Sequence, residues 1–283
     1  IFVYSMPNSI SLLKRKKVDK AHWKGSQKNI LLGIYHLKNK RGLKKFEMFG
    51  EPEVSENYTF DQIVQNTHIY FNFHNEFISA PKNLKNKMMT LLSDNKNNKK
   101  GAIRYGVVPV FLVGSQFTHA HSNIILFDFK EQTCERFEPY GFSTDDTRFD
   151  TRMRHFLKNS LLPFKMKYLK PLNDEDFQET EEHQISDSAF SVEVISSDPG
   201  GYCAAWCIWY IEMRLRYSNL TREQLVDKIN LKIKKLDTSV RELIRNYSEY
   251  LIRVSDKIMD KKGLDKNKNR FSKIEYLKRF YDN

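Results

Sequence analysis

Hydrophobic and polar positions alternate differently on the two sides of residue 100. Before it the pattern is mixed: Tyr70-Phe71-Asn72-Phe73 alternates in part like a half-buried strand. Residues 81–92 open on Pro81 and place Leu84, Met88, Leu91 and Leu92 at helical spacing. The polar stretch 94–100 then predicts a loop and a boundary. Beyond Arg104 short apolar runs follow at 106–113, 121–129 and 133–137, which predict the strands of a central sheet. Residues 151–162 carry Met153, Phe156, Leu157 and Leu161 at helical spacing, and 190–195 read as a further strand.

Gly200-Gly201 breaks the chain before residues 203–215. There Ala204, Trp206, Cys207, Ile208, Tyr210, Ile211 and Leu215 describe a helix buried on most sides. In the tail, Thr221 with Gln224 three residues on forms a capping-box pattern, and Leu225, Ile229 and Ile233 share one face. A last helix is predicted over 238–262, stopped by Gly263. Strand clusters followed by helices imply an α+β fold. The expected organisation is a mixed, basic N-terminal extension at 1–100, a core at 101–217 and a helical C-terminal region at 218–283 packed on that core.

Composition narrows the class. The chain has 283 residues, 40% hydrophobic and 13% aromatic, enough for a real core and unlike a disordered segment. A net charge of +12 admits an acidic partner but equally describes a solvated surface. Cys134, Cys203 and Cys207 cannot all pair, which suggests a reduced, intracellular protein. No apolar run approaches a membrane span, and residues 1–13 lack the form of a signal peptide. The absence of an initiating Met is consistent with a fragment.

Candidate chemistry centres on Cys203. Thiolates are the reactive form of cysteine, and a helix N-terminus or a nearby imidazolium favours them. Asp198-Pro199-Gly200-Gly201-Tyr202 reads as a turn that delivers Cys203 to a helix start, beside free backbone N–H groups able to hold an oxyanion. Cys207, one turn further among Trp206, Ile208 and Trp209, reads as core. Taken alone, Cys203 fits a buried small hydrophobe equally well. His121 opens an apolar strand, and the next strand ends at Glu138. A hairpin turning near 130–132 would bring the two to one end, where a carboxylate can fix the imidazole's orientation and charge. A zinc site from His119, His121, Cys203 and Cys207 is the rival arrangement. It leaves Glu138 without a role, and neither a metal nor a cofactor is expected.

The run Cys134-Glu135-Arg136-Phe137-Glu138-Pro139-Tyr140-Gly141-Phe142-Ser143 resembles the segment of the adenovirus maturation protease that supplies its triad acid, and the His121-to-Glu138 spacing is similar too. Pro199-Gly200-Gly201-Tyr202-Cys203 with Cys207 resembles the nucleophile segment of the wider group of ubiquitin-like-protein proteases and viral maturation proteases. The resemblance spans roughly 104–217 and implies a papain-like-related cysteine protease core with a central mixed sheet, Cys203 as nucleophile, His121 as base and Glu138 as acid. It further implies cleavage after glycine, in a viral precursor or in a ubiquitin-like protein.

Two departures stand out. Ser122 follows the histidine where the family usually has Trp. Asp198 lies near the place of a Gln that helps form the oxyanion hole, the nearest upstream Gln being Gln184. Asp198 is the candidate replacement, with ordering of the turn as its other role, and the Cys203 N–H is the safer donor. The Lys- and Asn-rich composition together with the adenovirus-like motif leans the expectation towards a virion-maturation protease of a large DNA virus, acting in host cytoplasm or virion. A deubiquitinase or deSUMOylase is the alternative, and an inactive module binding ubiquitin-like tails or nucleic acid is the second. The adenovirus enzyme is stimulated by DNA, so the Lys14-Arg15-Lys16-Lys17 cluster is a candidate site for non-specific DNA. No membrane partner is expected.

Overall fold

A computed structural model describes residues 27–49, 66–114, 117–139, 146–160, 165–172, 202–235 and 240–261. The expected strand at 190–195, the turn with Asp198 and the Lys14–Lys17 cluster lie outside these residues.

Two long strands form the spine. β4 (Tyr105–Gly114) and β5 (Phe117–Asp128) pair antiparallel, from Tyr105 opposite Asp128 to Leu112 opposite His121. β5 continues into β6 (Thr133–Phe137) through a hairpin whose turn at Gln132 takes a left-handed backbone, φ 52°. Short strands complete the mixed sheet. β1 (Phe46–Met48) and β2 (Ile69–Asn72) both lie parallel to β4, at its two halves, β3 (Phe77–Ser79) returns antiparallel to β2, and β7 (Lys167–Leu169) lies parallel to β6. The path across the sheet is β3-β2-β4-β5-β6-β7.

Because strand side chains alternate in direction, β4 and β5 feed two cores. Tyr105, Val107, Ile124 and Leu126 face α1 (Gln27–Lys38), α4 (Tyr202–Arg216), α5 (Arg222–Lys235) and α6 (Val240–Lys261). Val108, Val110, Leu112, Ile125 and Phe127 face α2 (Leu84–Lys96) and α3 (Asp146–Ser160). The result is α+β, a mixed sheet covered by helices on both faces, as strand clusters followed by helices imply.

α4 runs through the first of these cores. Every residue from Tyr202 to Leu215 is buried, the expected fate of a helix that is apolar nearly all round. It meets α1 closely enough that a Cβ on Gly33 would collide with the side chain of Ile208, which fills the space the glycine leaves. The capping box forms as its sequence suggests: the Thr221 N–H donates to Gln224 Oε1 at 3.0 Å and the Gln224 N–H to Thr221 Oγ1 at 3.2 Å.

α2 departs from the sequence expectation, starting at Leu84 and running to Lys96, into the stretch read as a loop. Asn95 explains the extension, since its amide donates to the carbonyls of Leu91 at 2.8 Å and Ile103 at 2.9 Å and ties the extra turn to the approach of β4. Asn98 then ends it in a left-handed conformation, φ 49°.

Candidate active site

The β5–β6 hairpin has a register in which Ile124 faces Phe137 and Asp128 faces Thr133. Glu138, one residue past the strand, therefore lands at the open end of the hairpin beside His121. Its Oε1 lies 2.6 Å from His121 Nε2, with both side chains almost wholly buried. A carboxylate only accepts, so Nε2 donates and Nδ1 is the ring nitrogen left over. Cys203 sits on the second residue of α4 and hydrogen-bonds the same ring. Three residues distant in sequence thus meet where one strand, one strand end and one helix start converge.

Electrostatics distinguish this histidine. Burial alone pushes its pKa down, but the Glu138 charge, hydrogen bonds to Cys203 and Glu138, and the Cys203 charge outweigh burial and carry it up to about 10. The ring holds its proton at neutral pH. Cys203 retains 6% of its surface and lies in the first turn of α4, whose N–H groups have no intrahelical acceptor. The combination offers an imidazolium next to sulfur and backbone donors next to both.

Cys207 has the opposite surroundings. It is fully enclosed, its thiol donates to the Ser122 carbonyl at 3.4 Å, and burial holds its pKa well above the usual thiol range, with the Cys203 and Glu138 charges adding to the effect. Cys134 is likewise fully buried, its thiol raised first by burial. Ser122 is itself buried against α4 through that contact. The side chain of His119 and all of Asp198 lie outside the described residues. Among the described residues no group of three or more His, Cys, Asp or Glu side chains could hold a metal ion, and no helix is long and apolar enough to cross a membrane.

Behind Glu138 lies a second ring of polar groups that sequence reasoning missed. Arg136, with its side chain wholly enclosed, donates from one terminal nitrogen to Asn123 Oδ1 at 2.7 Å, and the same nitrogen stands 3.7 Å from Glu138 Oε2. Its Nε is 3.1 Å from Asp150 Oδ1 on α3, and Asp150 also accepts from the Tyr168 hydroxyl at 2.6 Å. The neighbouring Glu135 points to the other face, where it takes a bond of 2.7 Å from Arg214 Nε of α4. The available signal was the pair Glu135-Arg136 inside an apolar strand, since charges on a covered strand must find partners.

No protein-family model matches the chain. It is 27% identical over 198 residues to "Putative ankyrin repeat protein L371" of Acanthamoeba polyphaga mimivirus, a match covering 65% of this chain and 24% of that protein. The chain therefore spans about a quarter of the length of that relative. Among solved structures, ChlaDub1 of Chlamydia trachomatis superposes with a TM-score of 0.42 at 14% identity, covering 87% of this chain and 96% of that one. The Chlamydia trachomatis effector Cdu1, solved bound to ubiquitin, gives 0.42 at 12% identity with 87% and 96% covered. The Legionella pneumophila effector RavZ gives 0.43 at 10% identity with 85% and 71% covered. These are likenesses of general outline.

Proposed function

We propose that the chain is a cysteine hydrolase in which Cys203 attacks a carbonyl carbon, His121 manages the proton and Glu138 holds the imidazole. The observation that carries this reading is the buried contact sequence Cys203, His121, Glu138, with the ring held protonated beside sulfur at the start of a helix. In the first half-reaction the Cys203 thiolate adds to the carbonyl. Backbone N–H groups of the first turn of α4, that of Cys203 among them, receive the oxyanion. His121 then gives its proton to the leaving amine, and a thioester remains on Cys203. In the second, His121 takes a proton from water, which attacks the thioester and releases the carboxylate.

For the substrate we infer a protein with glycine at the cleaved bond, on the strength of the motifs around Glu138 and Cys203. The first reading is removal or processing of a ubiquitin-like protein. The second is maturation of a viral precursor, for which the mimivirus relative is the favouring observation. The ubiquitin carried by one of the solved structures belongs to that protein and enters here only as a reagent.

A panel of fluorogenic substrates tests both readings on one preparation: the C-terminal tails of ubiquitin and SUMO, and peptides with internal Gly-Gly or Gly-Ala bonds. Release from a ubiquitin-like tail, abolished by Cys203→Ala, supports the first. Cleavage of internal peptides alone supports the second. Absence of turnover on every member of the panel would contradict a hydrolase acting at glycine.

A further inference from the structure

The polar groups behind Glu138 are costly. A buried guanidinium with two carboxylates close by gives up hydration that only good geometry restores, and an apolar cluster of the same volume would serve the fold as well or better. β6 places Arg136 between Glu138 and Asp150, and the distances are unequal. Asp150 receives the closer ion pair at 3.1 Å and Glu138 the longer one at 3.7 Å, and both are held through charge rather than through a formed hydrogen bond. Asn123 fixes the guanidinium plane from β5, and Tyr168 of β7 fixes Asp150. The arrangement leaves Glu138 Oε1 aimed at His121 and places a fixed positive charge beside Oε2.

We propose that Arg136 is a positioning residue for the hydrolysis, holding Glu138 ionised and oriented so that it can retain the proton on His121. This inference rests on the reading of Cys203, His121 and Glu138 as the catalytic groups. Without the guanidinium, buried Glu138 Oε2 has no fixed positive charge beside it, and a carboxylate buried away from a cation shifts towards its neutral form. A neutral Glu138 no longer holds His121 charged. The groups facing the imidazole are Glu138 and Cys203; those facing the guanidinium are Glu138, Asp150, Asn123 and Tyr168, over the ring of Phe149 at 5.1 Å. Asp150 balances Arg136 so that Glu138 is not drawn away from the imidazole.

The test is the pH profile of alkylation by iodoacetate, an anion whose approach to the attacking Cys203 thiolate, with loss of iodide, is favoured by an adjacent imidazolium. The wild-type profile should fall on the alkaline side near pH 10, as His121 loses its proton. In Arg136→Gln combined with Asp150→Asn, which removes both charges and keeps hydrogen-bonding groups, that limb should move down by roughly 1–3 pH units. Melting should stay close to wild type. Arg136→Met with Asp150→Asn is the second route if the first pair does not fold.

In a Glu138→Gln background the same exchanges should move the limb no further, because Arg136 acts through Glu138. Arg136→Lys, which keeps the charge, should leave the limb near its wild-type place. A folded double variant whose limb stays near the wild-type value would overturn the positioning role and leave Arg136 as a structural tie. A wild-type profile identical to that of His121→Ala would instead overturn the underlying reading of the site, and the inference with it.

Discussion

Two buried histidines, His121 and His36, sit in polar clusters on opposite sides of α4 and are driven in opposite directions. His121 faces a carboxylate and a thiol and is raised to about 10. His36 is lowered to about 4, first by burial and then by the Lys40 charge, against a smaller upward pull from Glu212, and its Nε2 bonds the Tyr250 hydroxyl at 2.8 Å. Residue type and depth are shared, so partner identity makes the difference. A carboxylate in direct contact turns a buried histidine into a proton store, whereas a hydroxyl and a cation keep it neutral.

The surroundings repeat the contrast. Around His36, Glu212 accepts from Lys40 Nζ at 2.8 Å, Arg216 at 2.8 Å and the Tyr247 hydroxyl at 3.1 Å, tying the end of α1 to α4 and α6. That cluster closes on itself. The cluster at His121 ends on Cys203, a nucleophile with some surface left.

The largest effect should come from the open end of this pair of clusters. Cys203→Ala should abolish hydrolysis with little change in melting, since a small side chain at a helix start leaves little cavity. His121→Ala should be about as damaging, because nucleophile and base act as a unit. Cys207→Ala should remain active. An active Cys203→Ala, or a loss of activity in Cys207→Ala alone, would move the nucleophile.

Next, Glu138→Gln should keep the fold but bring the alkaline limb of activity down by roughly 1–3 pH units, because the neutral amide no longer opposes proton loss from His121. Removing the carboxylate of the closed cluster should instead read as stability. Glu212→Ala leaves Lys40 and Arg216 without their shared carboxylate and should cost about 3–5 kcal/mol. That corresponds to a melting point lower by roughly 6–20 °C. Hydrolysis below the transition should be unchanged, and a specific loss of turnover without loss of stability would erase the distinction between the clusters.

The remaining effect is the pH dependence of stability, and the two histidines should bracket it. His36 has a folded value near 4 against an unfolded 6.5, so the unfolded chain binds more protons between these values and stability falls as pH drops from 6.5 towards 4. His121 has a folded value near 10, so its contribution is complete below pH 6.5 and is lost as pH rises towards 10. Denaturation midpoints across pH 4–10 in wild type and His36→Gln should show the acid slope flattened in the variant alone.

The chain made some of this readable and hid the rest for physical reasons. β4 and the 124–127 stretch of β5 announce themselves because a strand covered on both faces must be apolar nearly throughout, and β6 follows from the hairpin turn after them. α4 does so because a fully buried helix admits few polar residues, and the Thr221 capping box because its two side chains sit at a fixed offset. The His121 and Glu138 pair was legible through the hairpin, whose register follows from two strands and a short turn. Less legible was α1, whose apolar residues Ile30, Leu31, Leu32, Ile34 and Leu37 are all buried but form a short run broken by Gly33 that does not by itself tell a helix from a buried strand. β1 and β3 are 3 residues each, too short for a period to declare itself. Arg136 stayed hidden because its partners Asn123, Asp150 and Tyr168 come from three other elements, and no local spacing links them. The longer α2 escaped notice because Asn95 looks like a loop residue until Ile103 supplies its second acceptor.

The central claim is that Cys203, and neither other cysteine, is the nucleophile that His121 activates. A peptide ending in Gly-Gly with a vinyl methyl ester in place of the scissile carbonyl tests it most directly, with intact mass and peptide mapping as the readout. The account predicts a single adduct on Cys203, absent in Cys203→Ala, strongly slowed in His121→Ala and unchanged in Cys207→Ala. An adduct on Cys134 or Cys207, or undiminished labelling of Cys203 after His121 is replaced, would contradict it.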